Sequence, residues 1–163
     1  MQITVILGSN SGDKFQLIRD ALTLLEERAG RIKMISSLYE TAPWGFESKE
    51  MFINQVAVFE TPLLPHAFLQ ICQETEHALG RIRTAHVRYA SRTIDIDILF
   101  CESLIIRSPE LTVPHPRLQE RNFVLVPLEE IMPDFEHPVL HKKISVLLSE
   151  SPDSLAVKKQ SNR

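Results

Sequence analysis

Residues 2–7 form an apolar run closed by Gly8-Ser9-Asn10-Ser11-Gly12-Asp13, a short buried strand followed by a turn. Ile18, Ala21, Leu22 and Leu25 recur at helical spacing, which predicts a helix over 14–28 that Gly30 stops. Loose alternation over 32–39 predicts a second strand. Pro43, Gly45 and a cluster of charges then break the pattern over 41–50, a long loop that carries Trp44 and Phe46. Residues 52–60 return to strand, with Val56 and Val58 on the face of Asn54, and Thr61-Pro62 closes it. The next helix begins near Pro65, with Ala67, Phe68, Ile71, Cys72, Ala78 and Leu79 on its apolar face. A fourth strand covers 93–100, a small hairpin 104–113 and a further helix 122–131. The last dozen residues, rich in Ser, Lys and Asp, read as frayed.

The resulting order, β-α-β-β-α-β with a C-terminal α/β appendage, predicts an α+β, ferredoxin-like antiparallel sheet with its helices packed on one face. A single catalytic domain over 1–150 and a flexible tail over 151–163 are expected. Many functions share this arrangement, so the site must carry the functional argument.

The fourth strand, Thr93-Ile94-Asp95-Ile96-Asp97-Ile98-Leu99-Phe100, places two carboxylates in an otherwise apolar stretch. Alternation puts Asp95 and Asp97 on one face and Ile94, Ile96, Ile98 and Phe100 on the other. The two acidic Cα atoms are then roughly 6.6 Å apart, within reach of a common hard cation. A plain solvated strand face would show the same alternation. The stretch just upstream weighs against it, because Arg81, Arg83, Arg88 and Arg92 crowd twelve residues that run directly into the acids. Arginine grips phosphate bidentately, and carboxylate-held magnesium bridges phosphate oxygens, so the window suggests phosphoryl-type transfer.

Length and charge bound the partners. The 163 residues suffice for one domain with a substantial core, and the net charge of −3 gives no overall attraction to nucleic acid or to an anionic membrane. Cys72 and Cys101 lie in apolar segments without metal-type spacing and are expected as buried, reduced thiols. The N-terminus shows no leader pattern and no apolar run approaches a bilayer's span, so a cytoplasmic protein is expected.

Aromatics and an amide in and after the long loop, Trp44, Phe46, Phe52 and Asn54, could hold a planar heteroaromatic ligand or simply cover the core. Taken in order, Gly8-Ser9-Asn10, Tyr39-Glu40-Thr41-Ala42-Pro43, Phe52-Ile53-Asn54, Gly80-Arg81-Ile82-Arg83, Arg92-Thr93-Ile94-Asp95-Ile96-Asp97-Ile98, Leu111-Thr112-Val113-Pro114-His115 and Arg121-Asn122-Phe123 are a specific set. On these motifs the chain resembles the 6-hydroxymethyl-7,8-dihydropterin pyrophosphokinases of the folate pathway.

The resemblance implies ATP as co-substrate and two Mg2+ ions held by Asp95 and Asp97. Arg81 and Arg92 would clamp the transferring group as the catalytic cations, and Arg83 would help to hold phosphate. Gln73, Glu76, Ile98, Thr112, His115 and Arg121 would surround the nucleotide. Thr41, Ala42, Trp44, Phe52, Asn54 and Phe123 would form the pterin slot, with Tyr89 over it. Two departures stand out: Ala90-Ser91 replaces the usual Gly-Pro, in a loop one residue longer, and Glu110 stands where some members carry an arginine that Arg107 would have to replace. The stretch 81–91 is expected to close over both substrates. A monomer that takes ATP and hydroxymethyldihydropterin, and neither nucleic acid nor membrane, follows. The rivals are a magnesium-dependent phosphohydrolase, which would transfer to water, and a ferredoxin-like RNA-binding module, which would need stacking aromatics on a basic face.

Overall fold

The computed structural model describes residues 1–43, 50–80 and 93–161. Its centre is an antiparallel sheet. Strand β1 (Gln2–Ser9) lies between β4 (Phe52–Glu60) and β5 (Asp95–Cys101), and β4 also pairs with both β2 (Arg31–Ile35) and β3 (Tyr39–Thr41). β1 is buried on both faces, as its unbroken apolar run requires.

Helices cover both faces, where the sequence pattern suggested one. Ile18, Ala21, Leu22 and Leu25 of α1 (Lys14–Arg28) and Phe68 and Cys72 of α2 (Pro65–Ala78) pack on Ile3, Val5, Leu7, Ile96 and Ile98. Val124, Leu125 and Leu128 of α3 (Asn122–Ile131) and Ile144 and Leu147 of α4 (Ile144–Glu150) pack on Ile6, Val56, Leu99 and Phe100 from the other side. The C-terminal region therefore forms a third layer. Asp13 caps α1, its carboxylate accepting the Gln16 N–H at 3.1 Å. Gly30, at φ +153°, turns the chain from α1 into β2 where any Cβ would meet the Glu60 carbonyl at 2.4 Å.

Three expectations need correction. The predicted second strand is two strands, because buried Ser36 interrupts it: the Ser36 hydroxyl accepts the Val56 N–H at 2.9 Å, a bond a regular ladder would take from the main chain. Phe100 does not share the face of Ile98. Val5 pairs with Ile98 and Thr4 with Phe100, so Leu99 is an extra residue, a β-bulge that turns both Leu99 and Phe100 toward α3 and α4. There Phe100 packs on Phe135, ring centroids 4.7 Å apart.

The end of the chain is likewise not frayed at 157–159. β8 (Val157–Lys159) pairs with β3 at the sheet edge, Thr41 opposite Val157 and Tyr39 opposite Lys159. The small hairpin is present as β6 (Ile106–Arg107) and β7 (Thr112–Val113). Cys72 and Cys101 are buried free thiols, and burial raises the thiol pKa of each.

Candidate functional site

Pairing across β5, β1 and β4 sets the site. Asp95 lies opposite Gly8 and Gly8 opposite Asn54, while Asp97 lies opposite Ile6. Directly paired residues point to one face, and Ile6 belongs to the α3/α4 side, so both carboxylates and the Asn54 amide look toward that layer. Both acids are half-buried. Gly8 has no side chain, which leaves an opening between Asp95 and Asn54. A Cβ built there would meet Asn54 Oδ1 at 2.9 Å and Phe52 Cδ1 at 3.8 Å. Asn54 itself is buried and donates from Nδ2 to the buried Thr41 hydroxyl at 2.9 Å. Ala42 follows Thr41, half-buried like Phe52.

The segment after β7 brings an imidazole to the acids. β5 is the edge strand, and the carbonyl of its bulged Leu99 accepts the His115 N–H at 3.0 Å. Burial, then Arg121, depress the His115 pKa to about 4, with Arg117 adding to them and Asp95 opposing. The ring is therefore neutral at pH 7. Its Nδ1 accepts the Arg117 N–H at 3.3 Å, which leaves the proton on Nε2 as a donor. Arg121, only 9% exposed, ends the preceding 3₁₀ turn and starts α3, its guanidinium 5.7 Å from the Phe123 ring centroid.

α3 is fastened at its far end to β3. The Tyr39 hydroxyl and the Ser37 hydroxyl and N–H all donate to Glu130. Burial, then the Glu130 carboxylate, push the Tyr39 pKa up. Burial acts to raise that of Glu130, but the bonds from Tyr39 and Ser37 outweigh it and lower the pKa.

The structure thus brings together Asp95, Asp97, His115, Arg121, Phe123, Asn54, Phe52, Thr41 and Ala42. Glu76 is buried near the end of α2 while Gln73 is exposed. The Ile98 side chain belongs to the α1/α2 core, so any contact it makes with a ligand must come from its backbone. Thr112 is exposed and lies directly opposite Arg107, the arginine singled out to stand in for the one absent at Glu110. Trp44, Arg81, Arg83, Tyr89 and Arg92, and the stretch expected to close over the substrates, lie outside the described residues.

Gly8 was legible only as a turn glycine, although it sits in the central strand, and the buried Ser9 and Asn10 beside it carried no separate signal. Among the described residues no cluster of three or more His, Cys, Asp or Glu side chains could hold a metal by itself. Two neighbouring carboxylates alone suit magnesium, which keeps several waters and shares substrate phosphates rather than sitting in an all-protein cage. The arrangement offers an acidic pair, a neutral imidazole donor and a buried guanidinium around one glycine-lined opening. That set is fitted to a polyphosphate beside a ligand read by an amide.

A family model described as 7,8-dihydro-6-hydroxymethylpterin-pyrophosphokinase matches residues 4–133. The chain is 43% identical over 134 residues to a Porphyromonas gingivalis 2-amino-4-hydroxy-6-hydroxymethyldihydropteridine pyrophosphokinase, covering 81% of this chain and 90% of that one. It is 42% identical over 133 residues to the Bacillus subtilis protein of the same name, covering 81% and 78%. The Schizosaccharomyces pombe folic acid synthesis protein fol1 is 41% identical over 146 residues, 89% of this chain but 20% of that longer one. Among solved structures, wild-type Plasmodium falciparum HPPK-DHPS superposes with a TM-score of 0.74 at 18% identity, over 91% of this chain and 44% of that chain. The last likeness speaks for the fold alone.

Proposed function

The chain belongs to the 7,8-dihydro-6-hydroxymethylpterin-pyrophosphokinase family, and from that premise we propose that it moves the pyrophosphoryl group of ATP onto the hydroxymethyl oxygen of 6-hydroxymethyl-7,8-dihydropterin, a step of folate biosynthesis. The hydroxyl oxygen attacks the β-phosphorus, the bond from that phosphorus to the α–β bridging oxygen breaks, and AMP leaves with the bridging oxygen. The hydroxyl proton passes to solvent. No side-chain nucleophile is required, since this chemistry rests on positioning and on neutralising phosphate charge.

The observation that carries the proposal is the row Asp95, Gly8, Asn54 across three adjacent strands. It puts an acidic pair and an amide on either side of an opening in the central strand. Asp95 and Asp97 would hold magnesium, two ions in the full reading, which neutralises charge on the bridging phosphate oxygens when bound. Asn54, with Thr41, Ala42, Phe52 and Phe123, would read the pterin. His115 would donate from Nε2 to a phosphate oxygen, with Arg121, Thr112, Gln73, Glu76 and the Ile98 backbone around the nucleotide. Trp44 and Tyr89 complete the pterin slot, and Arg81, Arg83 and Arg92 the phosphate clamp. The reading takes 1–150, with β8 (Val157–Lys159) added at the sheet edge, as one catalytic domain that works as a cytoplasmic monomer. Its core is the split βαβ arrangement, supported by the spatial order β5-β1-β4 with β2 beside β4.

The test is AMP release from ATP and magnesium with and without the pterin alcohol, with the product weighed by mass spectrometry. AMP that forms only with the alcohol, matched by pterin diphosphate, supports the reading. Equal release without the alcohol would assign the transfer to water and overturn it.

A further inference from the structure

α3 begins with Arg121 and Phe123, yet its own N-terminus supplies no cap: Arg121 makes no side-chain capping bond and the first turn carries no acidic residue. An N-terminal turn leaves amides without helical partners, and a carboxylate there also complements the helix dipole. Both come from a distant segment. Asp153 Oδ2 accepts the Asn122 N–H at 2.8 Å, and the Asp153 carbonyl accepts the Asn122 side-chain amide at 3.1 Å. The other carboxylate oxygen, Oδ1, accepts the Leu155 N–H at 2.9 Å, and the Ser151 hydroxyl accepts the Asp153 N–H at 3.3 Å, so the carboxylate is held from both sides. Four residues after Asp153 the chain enters β8, which pairs with β3 through Thr41, and Gln160 N–H then donates to the Leu38 carbonyl at 2.8 Å.

The segment 151–160 therefore joins two elements that carry candidate site residues, α3 and β3. At one end it caps the helix that presents Arg121 and Phe123; at the other it pairs beside the strand whose Thr41 hydroxyl holds Asn54. α3 itself packs on β3 and on β8, so the strap, the start of the helix and the strand edge meet in one place.

We propose that this strap is part of the substrate-binding apparatus, with Asp153 as a positioning residue that sets Arg121 and Phe123 against β3. Asp153 touches neither substrate and acts through the first turn of α3. The proposal rests on the functional reading above, and it deepens that reading by naming what holds the two sides of the site in register.

The experiment compares Asp153→Ala, Asp153→Asn and Thr61→Ala in the full chain. Thr61 donates to the Ala29 carbonyl at the opposite end of the sheet, beside the Gln2 end of β1, and so reports general loss of stability away from the site. Steady-state AMP release is measured while each substrate is varied, alongside thermal melting and amide exchange over 122–125 without ligand. Asp153→Ala should raise the KM for the pterin alcohol and for ATP about tenfold, the size of a lost helix cap, with kcat within about threefold of the parent. Asp153→Asn keeps one accepting oxygen and should recover part of each KM. Exchange over 122–125 should quicken in the order parent, Asn, Ala. Thr61→Ala should lower the melting temperature with both KM values unchanged.

KM values in Asp153→Ala no higher than in Thr61→Ala, or unchanged exchange over 122–125, would overturn the proposal. If the parent chain released no AMP, the functional reading would fall by itself, and the exchange series would still decide whether Asp153 holds the start of α3.

Discussion

Replacing Gly8 by alanine adds one methyl group to the centre of the sheet and, on the geometry, acts on the site far more than on the fold. The new Cβ would stand 2.9 Å from Asn54 Oδ1, about 0.5 Å inside the 3.4 Å at which ordinary contact begins. The backbone is extended there, so alanine is not strained and reduces chain entropy, a gain of roughly 0.5–1 kcal/mol. The Asn54 amide must retreat by about 0.5 Å, which stretches its 2.9 Å bond to the Thr41 hydroxyl to the edge of hydrogen-bonding range. Both groups are buried, so the loss costs about 1–3 kcal/mol. The two terms leave a net destabilisation of about 1 kcal/mol, a small shift in a urea melt. The pterin meets both a filled opening and a displaced amide. An unpaired polar edge in a site built to read it weakens binding at least about tenfold. Calorimetric titration of Gly8→Ala with the pterin alcohol, with a urea melt of the same sample, measures the two effects separately. A dissociation constant within twofold of the parent would refute the placement of the pterin over Gly8.

Asp97→Ala should keep the secondary structure, since the residue is half-buried at a sheet edge, and should abolish magnesium-dependent AMP release; circular dichroism and the coupled assay check the two halves. His115, with a folded pKa of about 4 against an ordinary value near 6.5, binds its proton more readily in the unfolded chain. Stability should therefore be complete above pH 6.5 and fall by up to about 3 kcal/mol as pH drops from 6.5 through 4, a slope that His115→Gln should flatten in urea melts at pH 7 and pH 5. Tyr39→Phe removes one of the donors to Glu130 and should cost about 1–2 kcal/mol in a urea melt. No change there would mean that this bond does not fasten α3.

Elements whose pattern is local were legible in the sequence. Ile18, Ala21, Leu22 and Leu25 announce α1 because helical spacing is written in neighbouring residues, and Asp95 and Asp97 announce a carboxylate pair for the same reason. What was not legible depends on partners far along the chain. Ser36 ends β2 because its hydroxyl meets Val56, twenty residues on. Phe100 changes sides because β1 skips Leu99, and alternation counted within β5 alone cannot register that. β8 is three residues long with two exposed lysines, and it becomes a strand only because β3 offers an open edge. In the site, Gly8 reads as a turn until its neighbours Asp95 and Asn54 are known. Asp153 caps a helix 31 residues before it and leaves no capping motif in the sequence around that helix.

Leu99 is the supernumerary residue of β5, with no partner rung on β1. Without it, Ile98 and Phe100 would become successive rungs, still facing Val5 and Thr4, and the two strands would zip into an uninterrupted ladder with every side chain on its present side. The sheet has no use for Leu99 in keeping phase. What excision would remove is a buried side chain packed under α3 and α4 and the carbonyl to which the His115 main chain is moored. Shortening the strand by that one residue should thus keep the ladder in phase while it both empties a place in the α3/α4 core and sets the imidazole adrift, so one peptide unit serves packing and chemistry together.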